Sequence, residues 1–75
     1  MLKRIENGER FQALGISFAV TLPQGTYTLY QSADGSIYTP YAEPISGNDT
    51  LVVNGIKSGM YFYFDGLTEG VNVLL

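Results

Sequence analysis

The stretch Leu14-Gly15-Ile16-Ser17-Phe18-Ala19-Val20-Thr21-Leu22 constrains the fold most. Large apolar residues hold every even position and small residues every odd one. Successive side chains of a strand point to opposite faces, so a period of two predicts one β-strand with a heavy and a light face. The heavy face must be a core wall. The core is therefore expected to join Leu14, Ile16, Phe18 and Val20 to Phe62 and Phe64. The light face, Gly15, Ser17 and Ala19, allows close approach of another layer or a neighbouring subunit, which makes these three candidate interface residues.

Turn signals divide the rest. Asn7-Gly8, Asp34-Gly35, Asn54-Gly55 and Asp65-Gly66 are dipeptides that favour the type I′ turn, in which both central residues take positive φ. No segment carries apolar residues at helical spacing over two turns. The chain reads as all-β: a small antiparallel β-sandwich or β-barrel of about five to seven strands joined by meander hairpins. Residues 2–6 form a short edge strand turning at Asn7-Gly8 into a long strand over 10–22, which stops at Pro23-Gln24-Gly25. Residues 26–33 follow, and a two-residue loop at Asp34-Gly35 reverses the chain into 36–42. That register sets Tyr27, Leu29 and Gln31 on one face with Ala42, Pro40 and Tyr38. Pro40 cannot donate to a ladder, which marks this strand as an edge or a bend. Residues 50–54 form the next strand. A tight hairpin at Asn54-Gly55 and a wider loop through Ser58-Gly59 are both open, so the register of 50–64 is undetermined. In 60–64, Met60, Phe62 and Phe64 face the core, and Tyr61 and Tyr63 face away. The apolar segment 71–75 closes the chain. Leu74 and Leu75 should point to opposite faces, one into this domain and one onto a neighbour.

With 75 residues the chain is one domain spanning 1–75. A domain this short buries only about 60–65% of its unfolded surface, and such domains often need a staple. Cysteine and histidine are absent, which removes disulfides, thiolate metal sites, the commonest metal ligand and the commonest general base. Association with a partner remains. Charged residues make up 15% of the chain, against about 25% in ordinary soluble domains, and there are six tyrosines. A surface poor in charge and rich in tyrosine resembles an interface core.

Lys3, Arg4 and Arg10 against Glu6 and Glu9 give the first ten residues +1. Lys57 against Asp34, Glu43, Asp49, Asp65 and Glu69 gives the remainder −4, for a net −3. An acidic body without clustered basic residues is a poor nucleic-acid binder. No apolar run reaches the roughly 18 residues of a spanning helix, so no membrane role is expected. Residues 11–22 do not read as a signal-peptide core, because Gln12, Gly15 and Ser17 interrupt them and Glu6 and Glu9 intrude on the basic side.

No Ser-His-Asp or Cys-His arrangement can form. Glu43, Asp49 and Asp65 are carboxylates that could form an acid–base pair, but all adjoin turns, where acids terminate strands. Asn48 and Asp49 lack the spacing of a calcium loop, and Asn48-Asp49-Thr50 matches a glycosylation sequon that is frequent by chance. No catalytic, metal-binding or cofactor-binding residue is assigned, and the chain reads as a non-enzyme. Phosphate loops and basic residues interleaved with aromatics are absent.

Two functions remain. The first is a non-enzymatic structural part of a large assembly. Its character is that of a minor virion protein of the capsid-decoration or cement type, bound to a larger structural protein or to copies of itself. The second is a small adhesion or carbohydrate-binding module using Tyr30, Tyr41, Tyr61 and Tyr63. The interface candidates are these four tyrosines with Gly15, Ser17, Ala19, Leu74 and Leu75. Localisation follows as the virion, or otherwise soluble.

Overall fold

The computed structural model describes residues 1–42, 44–47 and 50–75. Among these the chain forms short strands and no helix: β1 (Leu2–Ile5), β2 (Phe11–Gln12), β3 (Ser17–Thr21), β4 (Gly25–Ser32), β5 (Thr39–Pro40), β6 (Ile45–Gly47), β7 (Thr50–Asn54), β8 (Tyr61–Asp65) and β9 (Val71–Leu74). They build two antiparallel sheets, as the sequence predicts. The first has the order β1-β9-β3-β7, and the second has the order β2-β8-β4-β5 with β6 also paired to β4.

Alternation along each strand places the core between the sheets. The first sheet contributes Ile5, Phe18, Val20, Val53, Val71 and Val73, and the second contributes Phe11, Tyr27, Leu29, Phe62 and Phe64, all buried. The sheets lock through aromatic rings. Phe18 meets Phe11 edge-on at 5.2 Å and Phe62 at 5.1 Å, while Phe11 stacks on Phe62 at 5.9 Å. The expected core members Phe18, Val20, Phe62 and Phe64 therefore form one cluster.

Leu14 and Ile16 do not join it. They are 56% and 72% exposed. The predicted long strand is broken: β2 lies in the second sheet and β3 in the first. The chain crosses between sheets through residues 13–16, and the alternation shifts phase there. Before the crossing the odd residues Phe11 and Ala13 are buried, and after it the even residues Phe18, Val20 and Leu22 are. The crossing is held by the loop between β7 and β8. The Ala13 amide donates to the Met60 carbonyl at 2.8 Å, the Gly59 amide to the Ala13 carbonyl at 2.8 Å, and the Ile56 amide to the Ile16 carbonyl at 3.1 Å. Because β7 and β8 belong to different sheets, residues 50–64 are not a tight hairpin, and the wider loop is the arrangement formed.

The four turn dipeptides are not type I′ either. Gly8, Gly35, Gly55 and Gly66 take positive φ, but among the described residues no non-glycine does. Side-chain oxygens organise two of these turns instead. The Asn7 Oδ1 accepts from the amides of Gly66 and Leu67 at 2.8 and 2.9 Å, which ties the turn after β1 to the turn after β8. Asn7→Ala leaves both donors without that acceptor and should cost about 1–2 kcal/mol. A urea-unfolding midpoint equal to the parent protein's would contradict this.

At Asp34 the carboxylate accepts from the amides of Ser36 and Ile37 at 2.8 and 3.1 Å and from the Ser32 hydroxyl at 2.9 Å. This Asx-type loop is longer than the expected two residues. Tyr30 therefore pairs with Pro40, and Gln31 with Thr39, one position away from the predicted register. A slip of one residue exchanges faces, so Pro40 shares the outer face with Tyr30. The predicted strand 36–42 shrinks to β5.

The amide bonds from Ser36 and Ile37, with the Ser32 hydroxyl, hold the Asp34 carboxyl below the ordinary aspartate value. Its native pKa is thus lower than its unfolded one. The stability it contributes is present above the ordinary aspartate value and is lost as pH falls through the native value. Carboxyl NMR titration should find the Asp34 midpoint below that of an unstructured aspartate, and Asp34→Asn should remove this part of the acid sensitivity. A midpoint at or above the unstructured value would refute the assignment.

Candidate functional site

Each sheet has an outer face, and strand register fixes what lies on it. In the first sheet Leu2 is opposite Leu74, Leu74 opposite Ala19, and Ala19 opposite Val52. Residues directly opposite one another share a face. Leu2, Leu74, Ala19 and Val52 therefore form one apolar row crossing all four strands. Leu2 is 64% exposed, and Leu74 and Val52 are each 55% exposed. Ala19 is the short side chain in this row, and a shallow groove opens there between Leu2, Leu74, Thr21, Thr50 and Asn72. Arg4, opposite Asn72, is the one charged side chain on this outer face among the described strand residues.

On the second sheet the outer face carries tyrosine. Tyr30 is opposite Tyr63 and stacks on it at 4.7 Å with 10° between the planes. Tyr38 meets Tyr63 edge-on at 5.0 Å. The Arg10 guanidinium lies 4.1 Å from the Tyr63 ring centre and 5.1 Å from that of Tyr38. Offset stacking and cation–π contact satisfy these rings within the domain. Tyr61 shares this face, opposite Ser32, with its ring close under Gly35.

The candidates thus separate into groups. Ser17, Ala19 and Leu74 lie on the outer face of the first sheet. Leu75 turns inward and packs against the core, so the two adjacent leucines divide between faces as expected. Gly15 sits in the crossing segment, with open space where a Cβ would stand. Tyr30, Tyr61 and Tyr63 share the second outer face. Tyr41 does not. Its hydroxyl donates to the Asn54 carbonyl at 3.3 Å, and its ring approaches Phe62 at 6.4 Å, at the mouth of the sandwich beside Ile56 and Met60. Leu2 and Val52 are additions that the sequence reading lacked. Nothing in their local pattern marks them; they join the row only through pairing with Leu74 and Ala19.

Among the described residues no group of three His, Cys, Asp or Glu side chains could hold a metal ion. Asp65 is exposed at the end of β8. Glu43, Asn48 and Asp49, and with them the considered carboxylate pair, calcium site and sequon, lie outside the described residues. Among the described residues no helix is long and apolar enough to cross a membrane.

These features define a small antiparallel β-sandwich with one apolar and one aromatic outer face. No family model, no curated protein and no solved structure matches the chain.

Proposed function

We propose that this chain is a non-enzymatic structural part that seats on a larger assembly through the outer face of its first sheet. The observation that carries the reading is the row of Leu2, Leu74, Ala19 and Val52. Contiguous exposed apolar surface marks interaction sites, and complete burial of a leucine contributes about 1.5–3 kcal/mol. Contact would remove the exposed halves of two leucines and a valine from water, and the groove at Ala19 would receive a side chain from the partner. The partner is a larger structural protein. The setting of a virion shell, with the chain as a capsid decoration or cement-like protein, is a further proposal that rests on composition alone: few charges, no cysteine or histidine, and abundant tyrosine.

The carbohydrate-binding alternative has less support. Its four tyrosines do not share one surface, and Tyr30 and Tyr63 already stack on each other, with Arg10 beside Tyr63.

Leu74→Lys tests the proposal. Leu74 is half-exposed on a sheet surface, so the substitution should change folding stability by no more than about 0.5 kcal/mol. Mass spectrometry of material purified from the native source should find the parent chain with a large assembly. The variant, expressed in the same source, should be absent from it. Retention of the variant in the assembly would refute the reading.

A further inference from the structure

We infer that Asn54-Gly55 is a site of spontaneous covalent modification: the Gly55 nitrogen closes on the Asn54 side chain, and water opens the ring to leave aspartate or isoaspartate at that position. The other Asn-Gly pair, Asn7-Gly8, has the same chemistry in its sequence and is held out of it by the fold. The inference concerns one turn and stands apart from the docking of the outer face proposed above.

The reaction needs a nitrogen and a carbon to meet. The backbone nitrogen of the glycine, its proton lost to base, bonds to Cγ of the preceding asparagine. The Cγ–Nδ2 bond breaks and ammonia leaves, which gives a succinimide ring. Water then adds to either ring carbonyl. Addition at Cγ returns an aspartate. Addition at the main-chain carbon leaves the chain running through the former side chain, as isoaspartate. Water is taken up and ammonia released, with no oxidant or reductant. Glycine in the second place favours closure, because it has no Cβ to obstruct the nitrogen and has the widest backbone freedom.

At Asn54-Gly55 both reacting groups are available. Both residues are exposed. Among the described residues neither the Gly55 amide nor the Asn54 carboxamide has a hydrogen-bond partner, and the Tyr41 hydroxyl engages only the main-chain carbonyl of Asn54. Asn54 is the last residue of β7, so the peptide that follows it belongs to no ladder. Gly55 has φ of +72° and nothing within 4 Å of where a Cβ would stand, which leaves room for the ring.

At Asn7-Gly8 the same groups are committed. Asn7 is exposed as well, so exposure does not separate the sites. The Gly8 amide donates to the Phe64 carbonyl at 2.9 Å, and the Asn7 Oδ1 accepts from the amides of Gly66 and Leu67 at 2.8 and 2.9 Å. Donors on Oδ1 polarise Cγ, but the nucleophile decides the outcome. The Gly8 nitrogen aims its hydrogen at β8 and cannot turn onto Cγ while that bond stands. Closure there requires the turn to open locally first.

The product falls beside the apolar row. Asn54 is opposite Ser17 on the outer face of the first sheet, two residues along β7 from Val52. Conversion adds a carboxylate to that face. Isoaspartate also adds a main-chain atom ahead of Ile56, whose amide bond to Ile16 helps hold the crossing between sheets.

Time courses of the full chain at mildly alkaline pH, native and in urea, test the inference. Proteolysis and fragmentation mass spectrometry locate each exchange of NH2 for OH, and isoaspartyl methyltransferase labels the isoaspartate. In the native protein Asn54 should convert, and Asn7 should lag it at least about tenfold, the cost of opening its turn. In urea the two sites should converge. Asn54→Gln should remove most of the native methyltransferase signal. Equal rates at the two sites in the native protein, conversion of Asn54 in urea alone, or a gap of the same size in urea would each overturn the inference. The comparison of native and urea-unfolded parent protein decides the matter if Asn54→Gln fails to fold.

Discussion

Phe62→Ala should cost about 3–5 kcal/mol, which is most of the stability of a domain of this size. Phe62 has no exposed surface. It lies where the sheets meet, with Phe18 at 5.1 Å from the first sheet and Phe11 at 5.9 Å beside it in the second. Truncation removes the ring's transfer energy and leaves a cavity walled by rigid rings that cannot collapse into it. Ile16→Ala is the matched control. Ile16 belongs to the alternating stretch that the sequence marks as core, yet it is 72% exposed, so its truncation should stay within about 0.5 kcal/mol. Urea unfolding of both variants measures the contrast. If Ile16→Ala costs as much as Phe62→Ala, the crossing of the chain between sheets at residues 13–16 is wrong.

Gly66→Ala should cost about 2–3 kcal/mol, from conformational strain and a steric collision together. Gly66 has φ of +110°, a conformation that L residues rarely adopt. A Cβ there would also stand 2.7 Å from the Thr26 carbonyl oxygen, which belongs to β4 and cannot rotate away. The same turn receives the Asn7 carboxamide, so displacement of Gly66 would loosen two turns together. Gly55→Ala separates strain from collision. Gly55 has φ of +72° but nothing within 4 Å of its would-be Cβ, so about 1 kcal/mol of conformational strain is all it should lose. Equal losses at the two glycines, measured by thermal unfolding, would show that the approach of Thr26 carries no energy.

Alternation of side chains is a local property of an extended backbone, and where it operated alone the sequence was sufficient. Phe62 and Phe64 turned inward while Tyr61 and Tyr63 turned outward, Leu74 and Leu75 divided between faces, and Ser17 and Ala19 came to an outer face, each from a period of two. Absence of helical spacing fixed the all-β class in the same way. What strands do to one another is not local. The alternation from residue 14 to 22 carries no mark of the shift at 13–16, because that shift is imposed by the Met60, Gly59 and Ile56 backbones, forty or more positions further on. Asn7 gives no sign that its acceptor will serve Gly66 and Leu67, 59 and 60 residues away. The Asp34 loop displaced the Tyr30 register by one place through a carboxylate that captured two amides. The candidate surface divides along the same line. Ala19 and Leu74 were readable as outward-facing residues, but only the pairing of β1, β9, β3 and β7 set them beside Leu2 and Val52. Side-chain direction is written residue by residue, whereas neighbours across a sheet are decided by the burial of the whole core.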